Sequence, residues 1–408
     1  MKKIFAFTLI LFSLSGIAQT YTSSQDGNWT NPMTWSPMGV PLPGSTVIIN
    51  HNVILDTDFG YSSGSITVNA SGTLEQSAVG RNLSVDGGEL YNNGEIIVTN
   101  FALFSGYFYN NSFFSSHLIY LTDSADNSDN GIFYDCDSLY TNVYLYSTGE
   151  INAVKLYNDG YFFNDGYFFG TDFWNNSEFY SNSGVLVTNF TNAGYMENNG
   201  GFQFQNSTNL SELINSGDYI GNYFTNTGKF YNYMVTALTM DFLNVDSTDH
   251  DALLHLEGPF LITNDMLNID SITGTTDGNI CVGNLSTNAG LFLGNFDFCD
   301  QTGSVPDVNT GTIDAGITYC TKSCEVGVPE TVDTGTPVLF PNPFSTHLKI
   351  NSQGYENFSL FDAAGRMIVH VDITQSETII STESLKEGVY YYSLTNKNSE
   401  VRGKVIKN

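Results

Sequence analysis

The densest set of potential metal ligands in this 408-residue sequence is Asp246-Ser247-Thr248-Asp249-His250-Asp251, with His255 and Glu257 just beyond. Oxygen ligands this close could hold a calcium ion, and His250 with His255 could serve a transition metal. The spacing does not follow the EF-hand loop and lacks its central glycine. Asp246, Asp249, His250 and Asp251 therefore read first as a solvated loop, and no cofactor is expected, with calcium the alternative. Five cysteines suggest disulfides if the chain is exported. Cys281, Cys299, Cys320 and Cys324 cluster, and proximity in sequence favours Cys281–Cys299 and Cys320–Cys324 among the three connectivities. A zinc site would need a close pair at each end of a loop, which this spacing lacks. Cys136 is left over and is expected to be a buried strand residue.

Signatures of acid–base and nucleophilic catalysis are sparse. Elimination on a uronate sugar needs a base, often Arg or Lys, and cations to neutralise the carboxylate in the transition state. Residues 86–230 offer only Lys155 and Lys229. Acids are so abundant that no hydrolytic pair stands out. There is no Gly-x-Ser-x-Gly elbow, phosphate-binding glycine loop or His-Glu-x-x-His helix.

Charge divides the chain. Residues 19–335 hold Arg81, Lys155, Lys229 and Lys322 against thirty-five acids, a net charge of −31, while the residues from Thr336 on hold seven of each sign. So abrupt a change marks a linker, placed at residues 326–336. The polyanionic body would repel nucleic-acid phosphates and an anionic membrane face, so neither is an expected partner.

The elements come from a repeat. Between residues 86 and 230 two small polar residues, usually led by Asn, precede Gly or Ser and then an aromatic or aliphatic strand. Asn92-Asn93-Gly94, Asn158-Asp159-Gly160 and Asn192-Ala193-Gly194 are examples. Most steps between these turns are 17–23 residues and two are 11, suiting a whole coil and half a coil of a parallel β-helix. Gly, Asn and Asp tolerate tight corners, and runs such as Tyr161-Phe162-Phe163 and Gly184-Val185-Leu186-Val187 suit half-buried strands. The pattern predicts an all-β protein with a right-handed parallel β-helix over residues 59–280, of about eight to eleven coils with Phe and Tyr stacked inside. Residues 19–58 would cap its first coil and residues 281–325 its last, because a bare end coil offers open strand edges. Asp26-Gly27-Asn28-Trp29, Trp35, Pro41-Leu42-Pro43-Gly44 and Val47-Ile48-Ile49 resemble the entry segment of secreted bacterial β-helix proteins.

The termini concern export. Residues 1–18 have the pattern of a removed secretory signal: basic Lys2 and Lys3, apolar Ile4 to Leu14, and small residues at Gly16-Ile17-Ala18. No later segment approaches the roughly 20 apolar residues of a spanning helix, so no transmembrane segment is expected in the mature protein. At the other end stand Leu339-Phe340-Pro341-Asn342-Pro343-Phe344, Phe361-Asp362-Ala363-Ala364-Gly365-Arg366, Leu385-Lys386-Glu387-Gly388-Val389-Tyr390 and Lys404-Val405-Ile406-Lys407. Together these resemble the type A C-terminal sorting domain of Bacteroidetes type IX secretion cargo, over residues 337–408. The resemblance implies that Pro341, Asn342, Pro343, Asp362, Gly365, Arg366, Gly388, Tyr390, Lys404 and Lys407 belong to the sorting signal. It also implies that the type IX machinery and its surface signal-removing peptidase are partners, and that the protein is secreted or held at the outer-membrane surface. Alternating segments such as Met367-Ile368-Val369-His370-Val371 and Tyr390-Tyr391-Tyr392-Ser393-Leu394 predict a small antiparallel β-sandwich of about seven strands. Gly365 should then occupy a turn, and Gly388 should precede a strand.

Enzymes on β-helices commonly process acidic polysaccharides, so a lyase or hydrolase is the alternative reading of the main body. The scarcity of catalytic signatures favours a non-enzymatic exported protein, glycan-binding or adhesive. Exposed Tyr and Phe would stack on sugar rings, and Asn amides would bond hydroxyls.

Overall fold

The coil from Tyr161 to Ser177 sets the pattern for the middle of the chain. Strands Tyr161–Asn164 and Tyr167–Asn175 alternate buried and outward residues, as the period of two requires. Phe162, Phe168, Phe173, Asn164 and Asn175 point inward. The alternation lapses over Phe169–Asp172, where the extended chain turns a corner. Each such coil therefore has three faces: a first (residues 161–164), a second (167–170) and a third (172–175). The structure, a computed structural model, describes residues 19–246 and 251–324. In the C-terminal part it describes 338–340, 344, 347–351, 355–361, 367–373, 377–382, 385–386, 388–396 and 400–407.

Successive coils pair in parallel at a constant offset. Tyr161 lies opposite Glu178, Glu178 opposite Tyr195, Tyr195 opposite Glu212, and Glu212 opposite Lys229. The parallel ladders begin where Thr20–Ser23 meets Thr46–Ile49 and end where Asp297–Asp300 meets Thr318–Tyr319. The result is a parallel β-solenoid of about 15 turns. That exceeds eight to eleven coils because the segments before residue 59 and after residue 280 also wind into it. The 11-residue step is not half a coil. Turn residues Gly149, Gly166, Ser183, Gly200 and Gly217 form one series and Gly160, Ser177, Gly194, Ser211 and Gly228 another, each spaced by 17 residues and offset by 11.

Phenylalanine fills the interior. Phe162, Phe168, Phe173 and Phe179 pack with ring centroids 4.8–6.3 Å apart. Each fully buried ring contributes roughly 1.5–3 kcal/mol. Most tyrosines in the solenoid face outward, because a buried phenol needs a hydrogen-bond partner. Tyr140, Tyr157 and Trp174 stack on the third face at 4.6 Å, with planes 6° and 4° apart. Tyr21, Tyr61 and Tyr219 are buried exceptions; the Tyr61 hydroxyl donates to the Ser45 carbonyl and the Tyr219 hydroxyl meets that of Ser207. Cys136 is free and buried, and burial pushes its thiol up to about 12, which leaves it unreactive.

Two asparagine ladders line two corners inside the solenoid. Asn158, Asn175, Asn192, Asn209, Asn226, Asn244, Asn268 and Asn288 each donate through Nδ2 to the Oδ1 of the asparagine one coil on, over 2.7–2.9 Å. Most also donate to a strand carbonyl, as Asn192 does to Glu212. Such ladders satisfy polar groups that stacked strands would otherwise bury unpaired. The other ladder, running from Asn92 to Asn232, is interrupted by serine at 147 and 181. Asn164 donates to Ser181 Oγ, but that hydroxyl faces the Ser183 carbonyl, and the buried Oδ1 of Asn198 has no partner among the described residues. Ser181→Asn should restore the relay and raise stability by about 1 kcal/mol. An unchanged or lower thermal midpoint would show that the corner cannot admit the longer side chain.

The ends are closed differently. At the N-terminal end Trp29 packs against Trp35 at 5.1 Å and Phe59 at 4.5 Å, and Trp35 Nε1 donates to the Trp29 carbonyl. At the C-terminal end the disulfides are Cys281–Cys324 and Cys299–Cys320, not the sequence-adjacent pairs expected. Stacking explains the difference, because neighbours in a solenoid lie one coil apart. Tyr319 pairs with Phe298, so Cys320 lands beside Cys299, and the chain then folds back to Cys281.

Two buried carboxylates brace this end. Asp297 accepts from the Thr318 and Thr321 hydroxyls and from the Thr321 and Lys322 amides. Asp300 accepts from the Ser286 and Thr302 hydroxyls and the Thr302 and Gly303 amides. Burial acts to raise both pKa values, but these hydrogen bonds prevail and hold both groups below the usual carboxylate value. A lowered folded pKa contributes stability that is complete above the unfolded value of about 3.9 and is lost as pH falls through the folded one. The thermal-midpoint gap between the wild type and Asp297→Asn should therefore be widest near neutral pH and close below about pH 4. A gap that ignored pH would remove the charged hydrogen bonds as its source.

The chain divides at Cys324, and residues from Glu325 form a second unit. Its described strands make two antiparallel sheets. Val338–Phe340, His347–Asn351 and Glu377–Ser381 form one, and Asn357–Phe361, Met367–Asp372, Gly388–Thr395 and Glu400–Lys407 the other. Phe344, Leu348, Ile350, Phe358, Leu360, Leu394 and Val405 form its core. Gly388 opens its strand at φ +150°, a conformation that favours glycine.

Candidate binding groove

A groove of about 420 Å³ runs along the corner between the second and third faces of the solenoid. One wall is a column of register partners, Phe169, Leu186, Gln203 and Ile220, contributed by successive coils. Phe169 is 38% exposed, Leu186 48% and Ile220 38%, an apolar strip broken only by Gln203, where alternation should have placed polar residues. The opposite wall is Thr188, Gln205, Asn222 and Thr239, again one per coil. Val187, Phe204, Gly170 and Gly221 make the floor. Gly221 is required there, since a Cβ would fall 2.1 Å from the Phe204 ring.

No ionisable side chain lines the groove among the described residues. Thr239 Oγ1 donates to Asn222 Oδ1 at 2.8 Å, which turns the Asn222 amide nitrogen into a donor beside the Gln205 amide and the Thr188 hydroxyl. Just outside it, Tyr167 is 58% exposed and nearly parallel to Phe169, at 12°. Such a surface offers flat apolar contact beside amides and hydroxyls. The Tyr140–Tyr157–Trp174 stack does not, because its rings cover one another's faces and present only edges.

No contiguous motif in the sequence marks this site. Its signal was a spacing of 17 residues in two columns, 169-186-203-220 and 188-205-222-239, visible only once the coil length is known. Of the acidic loop, Asp246 and Asp251 come together with Asp270, with ligand oxygens within 4.8 Å of one another. Asp270 is also tied to the fold, accepting from the Ala252 amide at 2.7 Å and the Ser271 hydroxyl at 3.1 Å. Asp249 and His250 lie outside the described residues. His255 is engaged elsewhere, by Thr273 at 2.9 Å and Glu257 at 3.4 Å. Lys155 and Lys229 stand on different faces, each in register with an acid of the adjoining coil, Asp172 and Glu212.

In the C-terminal unit three of the four sequence motifs meet. Phe344 forms a parallel bridge with Lys407, whose Nζ lies 5.9 Å from the Phe344 ring centroid, and Tyr390 packs on Phe344 at 6.0 Å. Gly388 pairs with Lys407 and Tyr391 with Lys404, while the Tyr390 hydroxyl donates to the Lys386 carbonyl at 2.6 Å. Pro341, Asn342, Pro343, Asp362, Gly365 and Arg366 lie outside the described residues, as do the signal segment 1–18 and the linker 326–336.

Comparison with known proteins agrees with this unit. A family model described as a secretion system C-terminal sorting domain matches residues 338–408. No curated protein and no solved structure matches the chain. The C-terminal unit is thus a type IX secretion sorting domain, and the protein is cargo of that system, secreted or attached at the outer-membrane surface.

Proposed function

We propose that this exported solenoid is a non-enzymatic glycan-binding or adhesive protein, and that the corner groove is its contact surface. The observation that carries the reading is the groove's composition: one wall of Phe169, Leu186 and Ile220 with a single glutamine, one wall of amides and hydroxyls, and no ionisable lining. Apolar faces of sugar rings pack on the first wall, and their hydroxyls exchange hydrogen bonds with the second. General acid–base chemistry would need a titratable group within hydrogen-bond reach of the substrate. The groove's lining supplies none.

The test is a glycan array and a reducing-sugar release assay on the mature chain from Gln19. Binding without release is expected, weakened by Phe169→Ala. New reducing or unsaturated ends would instead make the protein an enzyme, and silence on the array would remove the glycan reading.

A further inference from the structure

Resting on that reading, we infer that the groove takes an uncharged, extended, β-linked polysaccharide lying along the solenoid axis and held over about three or four sugar units. The direction follows from the walls. Both are columns of one residue per coil, and parallel strands are spaced by about 4.8 Å, so the four rungs from Phe169 to Ile220 span ~14 Å. An extended pyranose chain advances by nearly the same distance per residue, so each ring meets one rung of each wall. A strongly helical glycan would curve away from a straight groove after one or two rungs.

Charge selects the class. Residues 19–335 carry a net charge of −31 with four basic residues, and the groove itself presents none. Asp172, Asp218 and Asp241 each stand two residues along the chain from a lining residue, and the lining holds no cation, so a uronate or sulfated chain would meet repulsion that nothing in the groove compensates. A neutral chain meets no such penalty. An extended peptide is a poorer fit, because peptides gain affinity by adding to an open sheet edge. Here the backbones of residues 167–175, 185–192 and 218–221 are already paired to coils on both sides.

Isothermal calorimetry with purified mature protein can decide this, using β-1,4-linked neutral oligosaccharides from dimer to hexamer and a matched uronate series. The affinity for neutral chains should rise with length and level off at about four units, with little dependence on salt. Gln205→Ala and Leu186→Ala, both exposed and so compatible with folding, should each weaken the hexamer by about fivefold or more. Tighter binding of the uronate series would overturn the inference, as would a dimer that binds as well as the hexamer. Neutral binding untouched by both substitutions would place the site elsewhere and also overturn it. Each of these results leaves a glycan-binding protein standing. Failure of both series, together with an empty glycan array, would remove that broader reading too.

Discussion

Deleting residues 337–408 is expected to leave a protein that enters the periplasm and accumulates there, with surface or medium fractions falling to background. The deleted segment is the secretion sorting domain, and the main body is a separate compact unit ending at Cys324. Its core, its ladders and both disulfides lie entirely on the N-terminal side of that boundary. The truncated chain should therefore fold, so that retention reports a lost address and not misfolding. Circular dichroism and the thermal midpoint of the periplasmic product separate the two. Conversely, residues 337–408 fused behind a signal peptide and a fluorescent protein should carry that cargo to the surface in a host with type IX machinery. If the truncated chain reached the surface as efficiently as the full one, the sorting assignment would be wrong.

Asn192→Ala should be among the most destabilising single substitutions in the solenoid. Asn192 accepts from Asn175 Nδ2 at 2.7 Å and donates to Asn209 Oδ1 and to the Glu212 carbonyl, both at 2.9 Å. All three asparagines are fully buried, so truncation strands Asn209 Oδ1 away from water, takes a donor from the Glu212 carbonyl and leaves Asn175 Nδ2 with only the Ser177 and Tyr195 carbonyls. The stranded oxygen costs about 1–3 kcal/mol and the two lost ladder bonds add to it, for an expected total of about 2–4 kcal/mol. Because each coil touches only its neighbours, the loss should be local and should split a cooperative transition, with early proteolysis near Ala193 and Gly194. Thr191→Ala, one residue away on the outer surface, is the control and should stay within about 0.5 kcal/mol. Equal denaturation midpoints for the two variants would mean that the ladder is decorative.

Much of the architecture was legible because its causes are local. The Asn-Asn-Gly and Asn-Asp-Gly turns, the short strands between them and the regular steps imply stacked coils before any contact is known. An aromatic interior follows from the repeat, whereas the choice of Phe162 and Phe168 over Phe163 and Phe169 and the length of the solenoid do not, since residues 20–55 and 286–319 coil without the repeat's spelling. The disulfides were misread for a related reason. Distance along the chain is a poor guide where one coil's length separates nearest neighbours, as it does for Cys299 and Cys320, 21 residues apart.

The candidate site was less legible, because it depends on register. Phe169, Leu186 and Ile220 look in the sequence like any strand hydrophobics, and half of such residues in these strands are core. Only stacking shows that these three share a face with Gln203, that Thr188, Gln205, Asn222 and Thr239 stand opposite, and that Gly221 keeps the floor open beside Phe204. The sequence by itself determined the export route, the acidic body and the repeat, since each is written in composition or in contiguous motifs. The tertiary structure alone decided the groove, the disulfide partners and the continuity of the asparagine ladders. Those arise from residues one or two coils apart in sequence that parallel stacking, and the fold-back that brings Cys324 to Cys281, place side by side.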